Sequence, residues 1–559
     1  LYKGGTKVAD VGTAPVTAET FSWAIPRSTE AGTDYRVRVT KGTTVDESNA
    51  DFTILEANVP RIEVSLSALT FGASTTGATT QDQKVLLFDG KGGRLHWSAR
   101  PSANWLTVSP TSGTGDGHVT IGINPAGLSA GPLTGTVSIT DPDAVNTPLE
   151  IAVTLEVHVS TAGPIGAFDS PVDRAKVKGT IPLSGWALDD LGVERLELRR
   201  DPVASDRAES IGTDGLVHVG SAASIEGARP DIETQYANYP LKHRAGWGLT
   251  LMTYSLPNQG NGTFVLHAFA ADREGNAVEI GKKTLIVNNK YNTKPFGAVD
   301  APAWGETISG TAYADRGWVL TPRPKIIPTK GTTIWVWIDG VKRGHPIYKQ
   351  YREDIALMFP TLRNKGGAGG TYVFDTTKYA NGPHTIKWVA SDNAGAVGNT
   401  GTSFFSVLNT PSGAAQASTS AVTMKTADSE TAASGRLADL AGIPQDYKTP
   451  VFGRTGFGAE RNFEPTFPDD QGVVEAVMEE DGLVEVRLGG SVKGYLVVGD
   501  ELRPLPAGAT LDPVDGTFSW MPGPGFLGRY DLVFVSQAAE GFPVKRRVVV
   551  RIVPAQPVE

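Results

Sequence analysis

Apolar positions along the chain recur with a period of two. Phe21-Ser22-Trp23-Ala24-Ile25, Tyr35-Arg36-Val37-Arg38-Val39 and Val548 to Val553 are typical: short alternating or β-branched runs bounded by Gly, Pro, Asn or Asp. Alternation sends successive side chains to opposite faces, so these runs predict half-buried strands of antiparallel sheets. Helical patterning is scarce, and it predicts short turns only near Asp231 to Tyr236, Arg352 to Phe359 and Ser434 to Leu440. The expected fold class is all-β, a series of tandem β-sandwich domains strung like beads.

The pattern also repeats on a longer scale. Pro164-Ile165-Gly166-Ala167-Phe168-Asp169-Ser170-Pro171 matches Pro295-Phe296-Gly297-Ala298-Val299-Asp300-Ala301-Pro302, and Gly185-Trp186-Ala187-Leu188 matches Gly317-Trp318-Val319-Leu320. Ala270-Ala271-Asp272 likewise matches Ala390-Ser391-Asp392. Such a repeat predicts two sandwiches in tandem, 161–290 and 291–410, each with its own core. Each carries an insertion, from Arg229-Pro230-Asp231 and from Arg352-Glu353-Asp354, where the helical turns belong.

Composition closes several chemistries. A chain of 559 residues is too long for one core and divides into roughly four or five domains. The absence of Cys excludes a disulfide framework, thiolate metal sites and cysteine nucleophiles. The net charge of -9, spread along the chain, argues against a nucleic-acid partner. No apolar run is long enough for a membrane span, and no signal segment opens the chain, which reads as starting in mid-strand at Leu1-Tyr2-Lys3-Gly4-Gly5.

Four stretches resemble known extracellular modules. Leu1-Tyr2-Lys3-Gly4-Gly5, Phe21-x-Trp23-x-Ile25-Pro26 and Gly32-x-Asp34-Tyr35 within 1–58 resemble the later half of the Kre9/KNH-like Ig domain. That family places further strands before these, which leaves two readings: they were removed, or a neighbouring subunit supplies a complementing strand and the chain builds a fibre. Trp105-Leu106-Thr107-Val108-Ser109-Pro110 and Gly135-Thr136-Val137-Ser138-Ile139-Thr140 within 59–160 are similar to the BACON β-sandwich, often attached to secreted carbohydrate-active proteins. The tandem copies resemble bacterial Ig-like modules. Leu511-Asp512-Pro513-Val514-Asp515-Gly516-Thr517-Phe518-Ser519-Trp520 within 471–556 resembles putative-Ig and cadherin-like domains. Between them, 411–470 reads as a linker rich in Ala, Ser, Thr and Gly, parts of which Phe452, Phe457, Phe463 and Phe467 could pin to a neighbour.

Candidate chemistry is sparse. Gly127-Leu128-Ser129-Ala130-Gly131 has the spacing of a nucleophile elbow, but no helix follows it, so no catalytic serine is expected. The eight His stand singly, without metal-ligand spacing. Of the carboxylate clusters Asp141-Pro142-Asp143, Asp512 with Asp515 and Asp189-Asp190, the last is the preferred calcium candidate, although Asp in turns also serves the backbone alone. In Ile334-Trp335-Val336-Trp337-Ile338 both indoles share one face, and the sister copy places Glu197 and Arg199 there, which marks that face as solvent-side. Trp335 and Trp337, with Tyr348 and Tyr351, either stack on sugar rings or pack against the insertion or an adjacent domain.

No convergent catalytic set emerges, so no enzyme is expected, and calcium is the only cofactor in view. The expected function is a secreted or cell-surface structural or adhesive protein, able to assemble with other copies of itself or with surface components. The alternative is a carbohydrate-binding accessory region, with polysaccharide as partner.

Overall fold

The computed structural model describes residues 1–15, 17, 20–26, 29–54, 59–90, 94–409, 435–457, 462–490, 492–512, 514–537 and 542–555. Its regular secondary structure is almost wholly strand. Among the described residues the α-helices are α1 (Pro230–Gln235) and α2 (Glu353–Met358), both in the insertions of the tandem copies where sequence periodicity placed them.

Four sandwiches share one closing device: an early strand pairs in parallel with the last strand. Ala68–Ser74 pairs with Leu149–His158, Ala175–Val177 with Ala277–Val287, Glu306–Ile308 with Ser403–Val407 and Val473–Glu479 with Pro543–Val553. The other ladders are antiparallel almost throughout, and their alternation buries one face. Leu149–His158 shows this most clearly, with Ile151, Val153, Leu155 and Val157 all buried.

The first sandwich packs a five-stranded sheet on a four-stranded one around Phe71, Trp97, Val119 and Ile151. In the first repeat, eight strands in one continuous order wrap around Trp247, Leu266 and Leu285. The second repeat encloses Ile334, Val336, Trp388 and Phe405. The N-terminal sheet is smaller: Thr6–Lys7, Tyr2–Lys3, Gly32–Arg36 and Phe52–Ile54 lie side by side over Leu1, Tyr35 and Ile54.

The last sandwich includes residues that were expected to be linker. Residues 411–434 lie outside the described residues, but Gly435–Arg436 joins the six-stranded sheet, and Val451–Thr455 with Glu464–Thr466 edges the five-stranded one. Val451 is fully in the core, so these strands, though poor in apolar periods, are held by sheet pairing and by a few anchors.

This sandwich also folds back onto both repeats. Ile225 and Ala228 of the first repeat and Phe404 of the second belong to the same apolar cluster as its Trp520 and Phe526. The backbones meet at Gly248, where any Cβ would stand 2.3 Å from the carbonyl oxygen of Pro524, so only glycine allows the approach.

Candidate functional site

Where the four sandwiches meet they line a partly open cavity of about 170 Å³. Leu66, Leu86 and Phe88 of the first sandwich and Leu496, Val498 and Leu505 of the last form its apolar lining. The repeats contribute the polar groups: Glu226, Glu233 and His243 from the first, Asp339, Arg343, Tyr379 and His384 from the second.

Arg503, from the strand Glu501–Arg503 of the last sandwich, ties three sandwiches together. Its guanidinium donates to Glu233 Oε2 at 2.9 Å across the boundary with the first repeat, and to Glu501 Oε2 at 2.7 Å on its own strand. Glu501 Oε1 in turn accepts from Ser67 Oγ of the first sandwich at 3.2 Å. Burial opposes the charge on Arg503, but the two carboxylates outweigh it and hold its pKa above the ordinary value. A fork of donors meeting two acceptors suits arginine and no other side chain.

The two histidines are in opposite states. His243 is pushed down to about 3 by burial and by Arg244, Arg503 and Lys242, so it is neutral at physiological pH. His384 faces an acceptor at each ring nitrogen, Asp339 Oδ2 at 2.6 Å and the Ala380 carbonyl at 2.8 Å, so both nitrogens must donate and the ring is a cation. Burial disfavours that charge, and Asp339 more than compensates. Glu226 differs from the other acids: burial raises its pKa, and among the described residues its carboxylate accepts no hydrogen bond.

The arrangement is suited to fastening. Arg503, Glu233, Asp339 and His384 all hold partners across or beside a module boundary, and among the described residues of the cavity no nucleophile is paired with a base. Sequence reasoning missed all of these residues. The available signal was charge placed inside strands and insertions, such as Glu501 and Arg503 on either side of Leu502.

The residues singled out from the sequence do not converge. Trp337 is buried against Phe457, whose ring stands edge-on at 5.3 Å, and against Leu483 and Met521 of the last sandwich. Its face is therefore covered, not solvent-side as the sister copy implied, because a module distant in sequence packs there. Trp335 is half-buried, with the His345 ring 3.8 Å away and the Lys342 ammonium 4.6 Å over its face. Tyr348 lies in the core of the second repeat and donates to the Val319 carbonyl at 2.8 Å, out of reach of a ligand. Tyr351 is exposed. Of the four phenylalanines expected to pin the linker, Phe457 does so, Phe463 lies under Arg454 and Arg487, and Phe452 and Phe467 are exposed.

Asp189 and Asp190 open the turn between Thr180–Leu188 and Val193–Arg200. Asp189 Oδ2 accepts from the Leu191 N–H at 2.8 Å, and Asp190 Oδ2 from that of Ala162 at 2.8 Å. Ser129 sits in the loop before Gly131–Thr140, with no helix behind it.

The family model of the viral BACON domain matches residues 61–152, inside the stretch whose motifs resemble that family. No curated protein matches the chain. Among solved structures, 20% of the chain aligns with 21% of a Bacteroides ovatus GH5 xyloglucanase in complex with a XXXG heptasaccharide, at 22% identity and a TM-score of 0.15. The chain therefore spans about a fifth of that enzyme's length. The Clostridium thermocellum CbhA fibronectin(III)-like modules align over 44% of this chain and 93% of theirs, at 13% identity and a TM-score of 0.14. The human desmocollin-1 ectodomain aligns over 93% of this chain and 84% of its own, at 9% identity and a TM-score of 0.15.

Proposed function

We propose that the protein is a secreted or cell-surface structural or adhesive protein whose sandwiches act as one stiff body. The observation that carries this reading is the Arg503 junction, where charged groups of two sandwiches and a serine hydroxyl of a third are largely removed from water and mutually satisfied. Freely jointed modules have no use for such groups, because an interface that opens and closes would expose and rebury them at a cost each time. Surface labelling of intact producing cells with an antibody against the chain should mark the exterior. Label that appears only after lysis overturns the reading.

A self-assembling form of this function draws on the N-terminal sheet. Its small core leaves Phe21, Ile25, Val39 and Val45 about half exposed or more, a surface that a second copy would cover. Sedimentation velocity of the full chain should then show concentration-dependent oligomers that Val39→Lys removes. A strictly monomeric species at every concentration ends the self-assembling form and leaves the rest standing.

The carbohydrate-binding alternative draws on the BACON match and on Trp335. It is the weaker reading, because the Trp335 ring is already engaged by His345 and Lys342 and Trp337 is covered.

A further inference from the structure

The cavity between the sandwiches has an apolar wall that no single module needs. In the strand Gln83–Asp89, Val85 and Leu87 enter the core of the first sandwich, and alternation turns Leu86 and Phe88 to its outer face. There they line the cavity together with Leu496 and Val498 of the last sandwich, and both remain half-buried.

The polar part of the lining comes mostly from the repeats, and most of it is engaged. Asn381 bonds to the main chain of Asn409, Thr510 Oγ1 donates to the Asp339 carbonyl at 2.8 Å, Asp339 holds His384 and Glu233 holds Arg503. Two groups stay unmet. Among the described residues neither the Glu226 carboxyl nor the His243 ring has a hydrogen-bond partner. They are neighbours: the Gly227 N–H donates to the His243 carbonyl at 2.8 Å, and Arg244 and Arg503 act on both side chains. His243 is only 8% exposed. A neutral imidazole has one N–H to give and one nitrogen that accepts, and a carboxyl accepts in either protonation state. Withdrawing both from water without partners is unfavourable unless a ligand meets them.

Size and charge narrow the ligand. An apolar cavity of about 150 Å³ takes up one benzene molecule, and this one measures about 170 Å³. A cation would meet Arg244 and Arg503 and an anion would meet Glu226 and Glu233, so the ligand is neutral. A monosaccharide of similar size would leave most of its hydroxyls against apolar walls.

We propose that the cavity binds a neutral six-membered ring carrying one hydroxyl, of the phenol class, with the ring on Leu86 and Phe88 and the hydroxyl donating to Glu226 while accepting from the His243 N–H. This binding role is additional to the stiff-body reading and stands or falls separately from it. A ligand there lies between residues of all four sandwiches, so its binding free energy adds to the stability of their joint.

The test is calorimetric titration of the full chain with phenol, benzene and glucose. One saturable phenol site with a dissociation constant on the order of 10⁻³ M or tighter is expected, with benzene bound at least about fivefold more weakly and glucose not at all. His243→Phe keeps a ring and removes its hydrogen bonds, so it should weaken phenol binding by about fivefold and leave benzene unchanged. Leu86→Trp fills the space from the outer face of the first sandwich and should abolish both. No saturable binding of phenol to the unaltered chain, the cavity then holding water only, overturns the proposal. Equal affinity for phenol and benzene, displacement of phenol by glucose, or an unchanged phenol affinity in His243→Phe overturns it as well. Should that variant fail to fold, Leu86→Trp and the phenol-to-benzene ratio decide the matter, since binding that survives a filled cavity lies elsewhere.

Discussion

Lys387 of the second repeat and Asp481 of the last sandwich form an ion pair at 2.9 Å in which the lysine is completely buried. The ammonium also donates to the Asp481 carbonyl at 2.5 Å and stands 4.7 Å over the Phe457 ring. Burial lowers its pKa, and Asp481 offsets part of that.

Removing one partner strands the other in a dry interface. Lys387→Met should therefore destabilise the chain by about 3 to 5 kcal/mol, while the double change Lys387→Met with Asp481→Leu should recover most of the loss. Denaturant unfolding followed by tryptophan fluorescence measures both, and additive losses would show that the pair does not clamp the interface.

Glu480, the preceding residue, titrates in the adjoining interface with the first repeat. Its Oε1 accepts from the Gly525 N–H at 3.2 Å, and the Ser170 and Ser184 hydroxyls of that repeat stand beside its carboxyl. Burial foremost, with a smaller contribution from Asp481, pushes it up to about 7, while Ser184, Ser170 and the Gly525 amide oppose the rise. A carboxyl whose folded pKa exceeds its unfolded value of 4.5 binds its proton more tightly when folded, so stability falls as pH rises from about 4.5 to about 7 and then levels. Glu480→Gln should flatten that slope, which amounts to about 3 kcal/mol at most. Melting temperatures across this window decide it, and parallel curves for the two proteins would refute the assignment.

The two neighbouring indoles should behave differently. Trp337→Ala empties a packed interface and should cost about 3 to 5 kcal/mol, with the last sandwich becoming protease-sensitive. Trp335→Ala should cost much less. A polysaccharide pull-down that Trp335→Ala abolished would instead revive the carbohydrate reading.

Gly248 tests the backbone contact. Its missing Cβ leaves room for the Pro524 carbonyl, so Gly248→Ala should force the last sandwich away from the first repeat at about 1 to 3 kcal/mol. Hydrogen exchange should rise at residues 523–526 and 246–248 together. Exchange unchanged at both would mean that the approach is not maintained in solution.

The strands, the two insertion helices and the tandem copies could all be read from local pattern. Period-two alternation is imposed by burying one face of a sheet, and it survives without knowledge of the partner. The Asp272 and Asp392 turns match in sequence because each carboxylate serves its own hairpin. The strands at 451–455 and 464–466 escaped detection, since few of their side chains enter the core: the first is held by pairing with residues 484–487 and the second by pairing with the first.

The sequence by itself therefore determined the all-β class and the tandem repeat, which rest on contacts close along the chain or within one repeat. Only the tertiary structure decided how they combine. Trp337 looked solvent-facing beside Glu197 and Arg199 of its sister strand, and what covers it is Met521, far along the chain. Arg503 and Glu233 are 270 positions apart, and nothing local in either segment records that they meet. Burial across a module boundary leaves no periodicity, because the partner face belongs to another core. The cavity and the clamp at Lys387 both lie on such boundaries.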